Sequence, residues 1–337
     1  MPATGDRDRR PALAGSVAAV SGRGHTGAVI AEHSRTWTPR HPTDLSQTIG
    51  PVRRGPGDPT FQRAVDGSIW RTTRTASGPA TVRFAQPAAD VLRADAWGPG
   101  AAEAVAEAAV VLGEGDDPTG FDPRIPLIDE AHRRNPGLRL VRTGRVFEAL
   151  VPAILEQKVI TLQAHDAWRF LVHRFGEDAP GPPPREGGRR LKVVPMPGQW
   201  ARVPSWEWHR AGVDPRRSRT IVNAARYAAR LEEASGMSPA DAAARLMLMP
   251  GVGVWTAAEV AQRAFGDPDA LAVGDYHLSN YLGHALWGRD MTDDEMVEAM
   301  APWAGQRQRV VRLLGASGVA GRPRRGPRMP FVDHRAI

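Results

Sequence analysis

Over most of the chain beyond residue 146, apolar residues recur at helical spacing. Segments 147–159, 163–175, 217–235, 239–248, 254–265, 276–287, 292–300 and 306–314 each repeat them at i, i+3 and i+4, which predicts helices. Upstream the pattern changes. Segments 68–75 and 80–84 are β-favouring runs around Ser77-Gly78-Pro79, a turn signal, and read as a hairpin. An Ala-rich helix follows at 101–112 and closes in the loop 113–120. Residues 1–44 are rich in Gly, Pro, Ser, Thr and Arg without sustained periodicity, and read as a disordered arm. Segment 180–188 is a Pro/Gly linker, and 321–337 reads as a basic disordered tail. The expected layout is mostly α: a small α+β domain over 45–120, then a helical region over 121–320.

The chain has 337 residues, 42% hydrophobic and 24% charged, too long for one ordinary core and too apolar for a disordered chain. No run of about 18 apolar residues occurs, so no membrane span is expected. Cysteine is absent, which excludes disulfides, zinc-thiolate sites, iron–sulfur clusters and a thiol nucleophile. Arg9-Arg10 and the apolar stretch after it weakly resemble a secretory signal. The stretch is short and Ala/Gly-heavy, so a cytoplasmic protein is the expectation.

The net charge of +7 is unevenly placed. Residues 307–337 carry eight arginines against Asp333, residues 1–44 a net +2, and residues 45–306 a net −2. Lys158 and Lys192 are the two lysines, and the arginine excess reads as a GC-rich coding bias. The basic balance therefore says little about the folded body, and nucleic-acid binding has to be argued from motifs.

The strongest motif is Leu246-Met247-Leu248-Met249-Pro250-Gly251-Val252-Gly253-Val254-Trp255-Thr256-Ala257. One helix ends at Leu248, Pro250 prevents its continuation, and a second begins near Val254. Gly251 and Gly253 permit a tight turn and close backbone approach. The free N–H groups of the second helix then make an anion site, with DNA phosphate the obvious anion. The alternative is a linker between core helices. About 22 residues later comes Val273-Gly274-Asp275. Asp275 sits where a helix cap belongs, and is also placed for catalysis.

The hairpin followed by Gly274-Asp275 resembles the helix-hairpin-helix, Gly/Pro-rich, aspartate signature of the DNA glycosylase superfamily. Ile154-Leu155-Glu156-Gln157-Lys158-Val159 resembles the helix before the family's DNA-inserting loop. The layout resembles the alkylation-repair branch, 3-methyladenine DNA glycosylase II, over residues 58–320. This implies a two-lobed helical glycosylase fold with a small N-terminal α+β domain, acting as a monomer on double-stranded DNA with damaged bases, near the nucleoid. Bifunctional members carry a lysine two residues after the second hairpin glycine, where this chain has Trp255; an indole forms no imine. With no iron–sulfur loop either, a monofunctional enzyme is implied: Asp275 catalytic, and alkylated purines such as 3-methyladenine and 7-methylguanine the substrates. Other damaged bases, or catalytically silent binding, stay open.

The resemblance further implies DNA contacts at Gln157, Lys158, Gly251, Val252, Gly253 and Thr256. No cofactor is required. A monovalent cation, K+ or Na+, is implied on the carbonyls of Met247, Met249 and Val252. Three departures bear on substrate. Lys158 stands where the prototype has an apolar wedge, so it holds a phosphate, fills the gap through its stem, or is a solvated lysine. Glu259 replaces a pocket aromatic; it shares a helix face with Trp255, and reads as a base-pocket acceptor or a surface acid. The last helix has no stacking tryptophan, leaving Trp206, Trp208 and Trp303 as stacking or core residues. His277 is read as structural or phosphate-facing, and His165 and His173 lack a third metal ligand.

Overall fold

In the computed structural model, residues 30–185 and 187–319 are described. Strands β1 (His33–Trp37), β2 (Phe61–Arg63), β3 (Ile69–Thr75), β4 (Gly78–Ala88) and β5 (Val91–Trp97) form an antiparallel sheet in the order β1-β5-β4-β3-β2. The hairpin expected around Ser77-Gly78-Pro79 is the β3–β4 pair, with Ile69 opposite Phe84 and Thr75 opposite Gly78. One face of the sheet carries Ile69, Ala80, Val82, Phe84, Leu92 and Ala94. Against it lies the apolar stripe of α2 (Ala101–Val111), Ala101, Ala104, Val105 and Ala108, with Leu45 and Ile49 of α1 (Leu45–Ile49). On the other face Trp70 and Trp97 stack, ring centroids 5.1 Å apart, over Leu191 and Val193.

The expectation of a disordered arm over 1–44 needs correcting from residue 30 onward. His33–Trp37 pairs with β5 in register, and Ser34 donates to the Asp95 carboxylate at 2.7 Å. An edge strand shows solvent one face and one border, so it needs few apolar residues, and pairing with β5 supplies what periodicity does not show. Residues 1–29 and the tail 321–337 lie outside the described residues.

Helices follow: α3 (Pro126–Arg134), α4 (Val146–Leu155), α5 (Thr161–Phe175), then, after the short β6 (Glu177–Asp178) and β7 (Lys192–Val193), α6 (Pro197–Trp200), α7 (Ser205–Arg210), α8 (Pro215–Arg226), α9 (Ala228–Glu232), α10 (Pro239–Met247), α11 (Val254–Val260), α12 (Leu278–Leu282), α13 (Asp293–Ala299) and α14 (Arg307–Ala316). Every residue of α4 except Glu148 is buried, as for a helix at the middle of a core. Helices α5, α8, α9 and α11 pack around it, and their apolar faces form one hydrophobic cluster. A second cluster joins Ile128 and Ala131 of α3 to Leu282, Met296, Met300 and α14 residues Val310, Leu313 and Leu314. Buried Arg309 of α14 pairs with Asp116, which also accepts from the Leu140 N–H at 3.0 Å. The predicted helix 217–235 is divided: α8 stops at Arg226, and α9 resumes at Ala228.

Candidate active site at the helical hairpin

Helix α10 ends at Met247, and the Leu248 N–H closes it on the Ala244 carbonyl at 3.2 Å. The chain turns through Met249-Pro250-Gly251, and the Val252 N–H donates to the Met249 carbonyl at 2.9 Å. Gly251 has φ +93°, a left-handed conformation in which a side chain is strained. A Cβ there would also lie 2.3 Å from Thr220 Oγ1 on α8. Gly253, extended at the N-cap of α11, offers no side-chain acceptor, so no side chain caps the first N–H groups of that helix. Met249 and Val252 are buried as the hairpin's anchors, while Leu248 (79%) and Val254 (56%) stand in solvent beside the turn.

Asp275 faces this hairpin. Its Oδ1 accepts from the N–H groups of His277 (2.8 Å) and Leu278 (3.0 Å), although the N-cap position of α12 falls on His277, two residues after the one expected. Its Oδ2 accepts from Trp255 Nε1 at 3.2 Å, joining it to the first turn of α11. The carboxylate is half-buried and, among the described residues, forms no ion pair. Its partners are donors that orient it and carry no formal countercharge. His277 is exposed, its ring edge-on to Tyr276 at 4.9 Å, so it takes no relay position on Asp275.

The turn after α4 approaches the hairpin from the other side. Gln157 Nε2 donates to the Gly251 carbonyl (2.9 Å) and to Thr256 Oγ1 (2.8 Å). Beside it Lys158 is exposed with φ +54°, a strained conformation for a residue with a Cβ. Behind the turn, buried Arg54 pairs with Glu156 at 3.1 Å, and its backbone N–H donates to Asp58 at 2.6 Å. Burial pulls the Arg54 guanidinium below its ordinary range, with Glu156 opposing. Arg217 of α8 donates to the Leu155 carbonyl at 2.6 Å, a cation on the C-terminal end of α4. Sequence reasoning missed Arg54, Glu156, Arg217 and Thr220 as supports; only the pairing of Asp214 with Arg217 at a helix start carried a local signal.

No family model matches the chain. A curated DNA-3-methyladenine glycosylase of Bacillus subtilis is 27% identical over 183 residues, which cover 53% of this chain and 59% of that protein. A probable bifunctional transcriptional activator/DNA repair enzyme AlkA of Mycobacterium tuberculosis is 34% identical over 148 residues, 42% of this chain and 28% of that protein. The chain thus matches less than two thirds of the length of either relative. The structure of a 3-methyladenine DNA-glycosylase from Archaeoglobus fulgidus superposes with a TM-score of 0.70 at 18% identity, covering 84% of this chain and 98% of that one. The chain has the fold of the helix-hairpin-helix DNA glycosylases. Its curated relatives carry the alkylpurine names. An 8-oxoguanine glycosylase/lyase of Clostridium acetobutylicum also superposes, with a TM-score of 0.65 at 11% identity over 84% of this chain and 95% of that one, so this glycosylase fold does not by itself fix the chemistry.

Within the glycosylase fold, one expected pocket residue is displaced. Glu259 is buried, and its carboxylate is held by Arg263 Nη1 at 2.7 Å. Arg263 Nε in turn donates to the Pro51 carbonyl at 3.0 Å. Through Arg263, Glu259 ties α11 to the N-terminal segment, so it is neither the free base-pocket acceptor nor the surface acid that the sequence left open. The tryptophans separate as well. Trp208 (Nε1 to the Val203 carbonyl, 3.2 Å) and Trp303 (Nε1 to the Pro123 carbonyl, 3.2 Å) are core, while Trp206 is 62% exposed. His165 lies 4.0 Å from Glu156, and among the described residues no group of His, Asp and Glu is arranged to hold a metal.

Proposed function

We propose that this chain is a monofunctional DNA glycosylase of base excision repair. It flips an alkylated purine, such as 3-methyladenine or 7-methylguanine, out of duplex DNA and hydrolyses its N-glycosidic bond. The observation that carries this reading is the Asp275 carboxylate, oriented by the N–H groups of His277, Leu278 and Trp255 and unpaired with any cation among the described residues. As the C1′–N bond breaks, its electron pair leaves with the base and positive charge grows on the sugar. Asp275 stabilises that charge and aligns a water, whose oxygen bonds C1′ while its proton passes to the carboxylate or to solvent. A base alkylated on a ring nitrogen departs as a neutral molecule and needs no strong acid. Trp255 occupies the place of a Schiff-base lysine, and its indole nitrogen is committed to Asp275, so hydrolysis without strand cleavage follows.

Around this centre, the N–H groups of Gly251 and Gly253 receive a phosphate, while the Val252 N–H, expected to share that contact, is committed to the Met249 carbonyl, and Gln157 braces the hairpin through Gly251 and Thr256. Lys158, at the strained tip of its turn, enters the helix near the vacated base. The carbonyls of Met247, Met249 and Val252 fit a monovalent cation: Met247 is the last residue of α10, where carbonyls lack helical partners, and the Met249 carbonyl keeps one lone pair beyond its bond from Val252. Such an ion would add positive charge beneath the phosphate. The test is incubation of the purified protein with methylated duplex DNA and chromatography of released bases. Free 3-methyladenine or 7-methylguanine with an intact strand is expected; strand cleavage with base release contradicts the monofunctional assignment, and release of other bases alone contradicts the substrate class.

A further inference from the structure

Helix α8 supports both turns of the site. Thr220 lies under Gly251 of the hairpin, and Arg217 holds the Leu155 carbonyl at the end of α4. These residues and Ile221, Ala224 and Ala225 form its buried side. The opposite side is a row of exposed arginines at helical spacing: Arg216, Arg219 and Arg226, with Asn223 between them. No acidic residue occurs between Asp214 and Glu232. Asp214 is engaged by Arg217, and Glu232 by the N–H groups of Val146 and Phe147 at the start of α4. Among the described residues, the Arg216, Arg219 and Arg226 side chains make no hydrogen bond and no ion pair. Many other exposed arginines do: Arg133 with Asp129, Arg134 with Glu130, Arg230 with Glu233 and Arg289 with Glu295.

We infer that the outer face of α8 is a second DNA-backbone contact, a rail of guanidinium groups that continues the phosphate track of the hairpin along the duplex. The inference rests on the DNA reading above and extends it to residues outside the hairpin. Thr220, which lies against Gly251, is one turn after Arg216 on the same helix, so the hairpin turn and the first of these arginines are neighbours. Guanidinium groups without protein partners are held ready for phosphate oxygens, and the contact is blind to sequence. Its work is to hold undamaged and damaged duplex alike while bases are sampled.

The experiment measures dissociation constants of the full-length protein for an undamaged duplex across a NaCl series. The R216Q/R219Q/R226Q variant is compared with R124Q/R133Q/R134Q around α3, which removes equal charge, and with R216K/R219K/R226K, which keeps it. Each phosphate contact contributes a slope of about 0.9 in log Kd against log salt, so the first variant should lose about two to three slope units. The α3 variant should keep the parent slope, and the lysine variant most of it. An unchanged slope in the folded α8 variant overturns the inference, as does an equal loss in the α3 variant, which would reduce it to net charge. Base release at saturating protein is read in parallel. Absent release with the slope difference intact removes the glycosylase reading and leaves the rail; normal release with no slope difference does the reverse.

Discussion

Helix α11 carries two acidic environments one turn apart, and they are opposites. At its first turn, Trp255 presents an N–H to Asp275, a half-buried carboxylate whose other partners are backbone N–H groups. One turn later Glu259 is sealed against the N-terminal segment with the Arg263 guanidinium 2.7 Å away. Both are carboxylates close to the hairpin, yet among the described residues only the first is without a cationic partner. The second has its countercharge already. Chemistry on this scaffold follows from what a carboxylate is left unpaired to do, not from its nearness to the hairpin.

Five substitutions test that contrast. Asp275→Asn keeps the cap geometry but removes the charge, and should slow base release by about 100- to 1,000-fold in single-turnover assays, with duplex binding retained. Glu259→Gln leaves half-buried Arg263 without its carboxylate partner and should cost about 2 kcal/mol in denaturant unfolding, while release per folded molecule stays near that of the parent. Gly251→Ala forces a Cβ onto Thr220 in a left-handed turn and should cost about 2 kcal/mol. Adding Thr220→Ala removes the nearest atom and should restore part of the loss, read as the melting temperature of the double variant. Trp255→Phe removes one N–H from Asp275, worth about 1 kcal/mol, so kcat should fall several-fold with KM little changed.

The sequence made the site's outline legible because its parts are local. Pro250 and the hairpin glycines force a turn wherever the chain lies, and Gly274-Asp275 marks a cap by itself. The β3–β4 hairpin and the long helices were legible for the same reason. What escaped depended on partners distant in the chain. β1 exists because β5 pairs with it, and its own five residues carry no clean alternation. Glu259 shares a face with Trp255 on any helical wheel, but only its pairing with Arg263, itself held on the Pro51 carbonyl, decides that it is buried. Arg54 pairs with Glu156 across 102 positions, a separation no periodicity reports.

The most direct test sets the two carboxylates side by side. Asp275→Asn and Glu259→Gln proteins, both confirmed folded, are mixed in excess with methylated duplex DNA, and released alkylpurines are followed in a single turnover. The account predicts near-parent release from Glu259→Gln and almost none from Asp275→Asn, although both bind the duplex. Parent-like release from Asp275→Asn, or its loss in folded, DNA-bound Glu259→Gln, would contradict the assignment of the chemistry to Asp275.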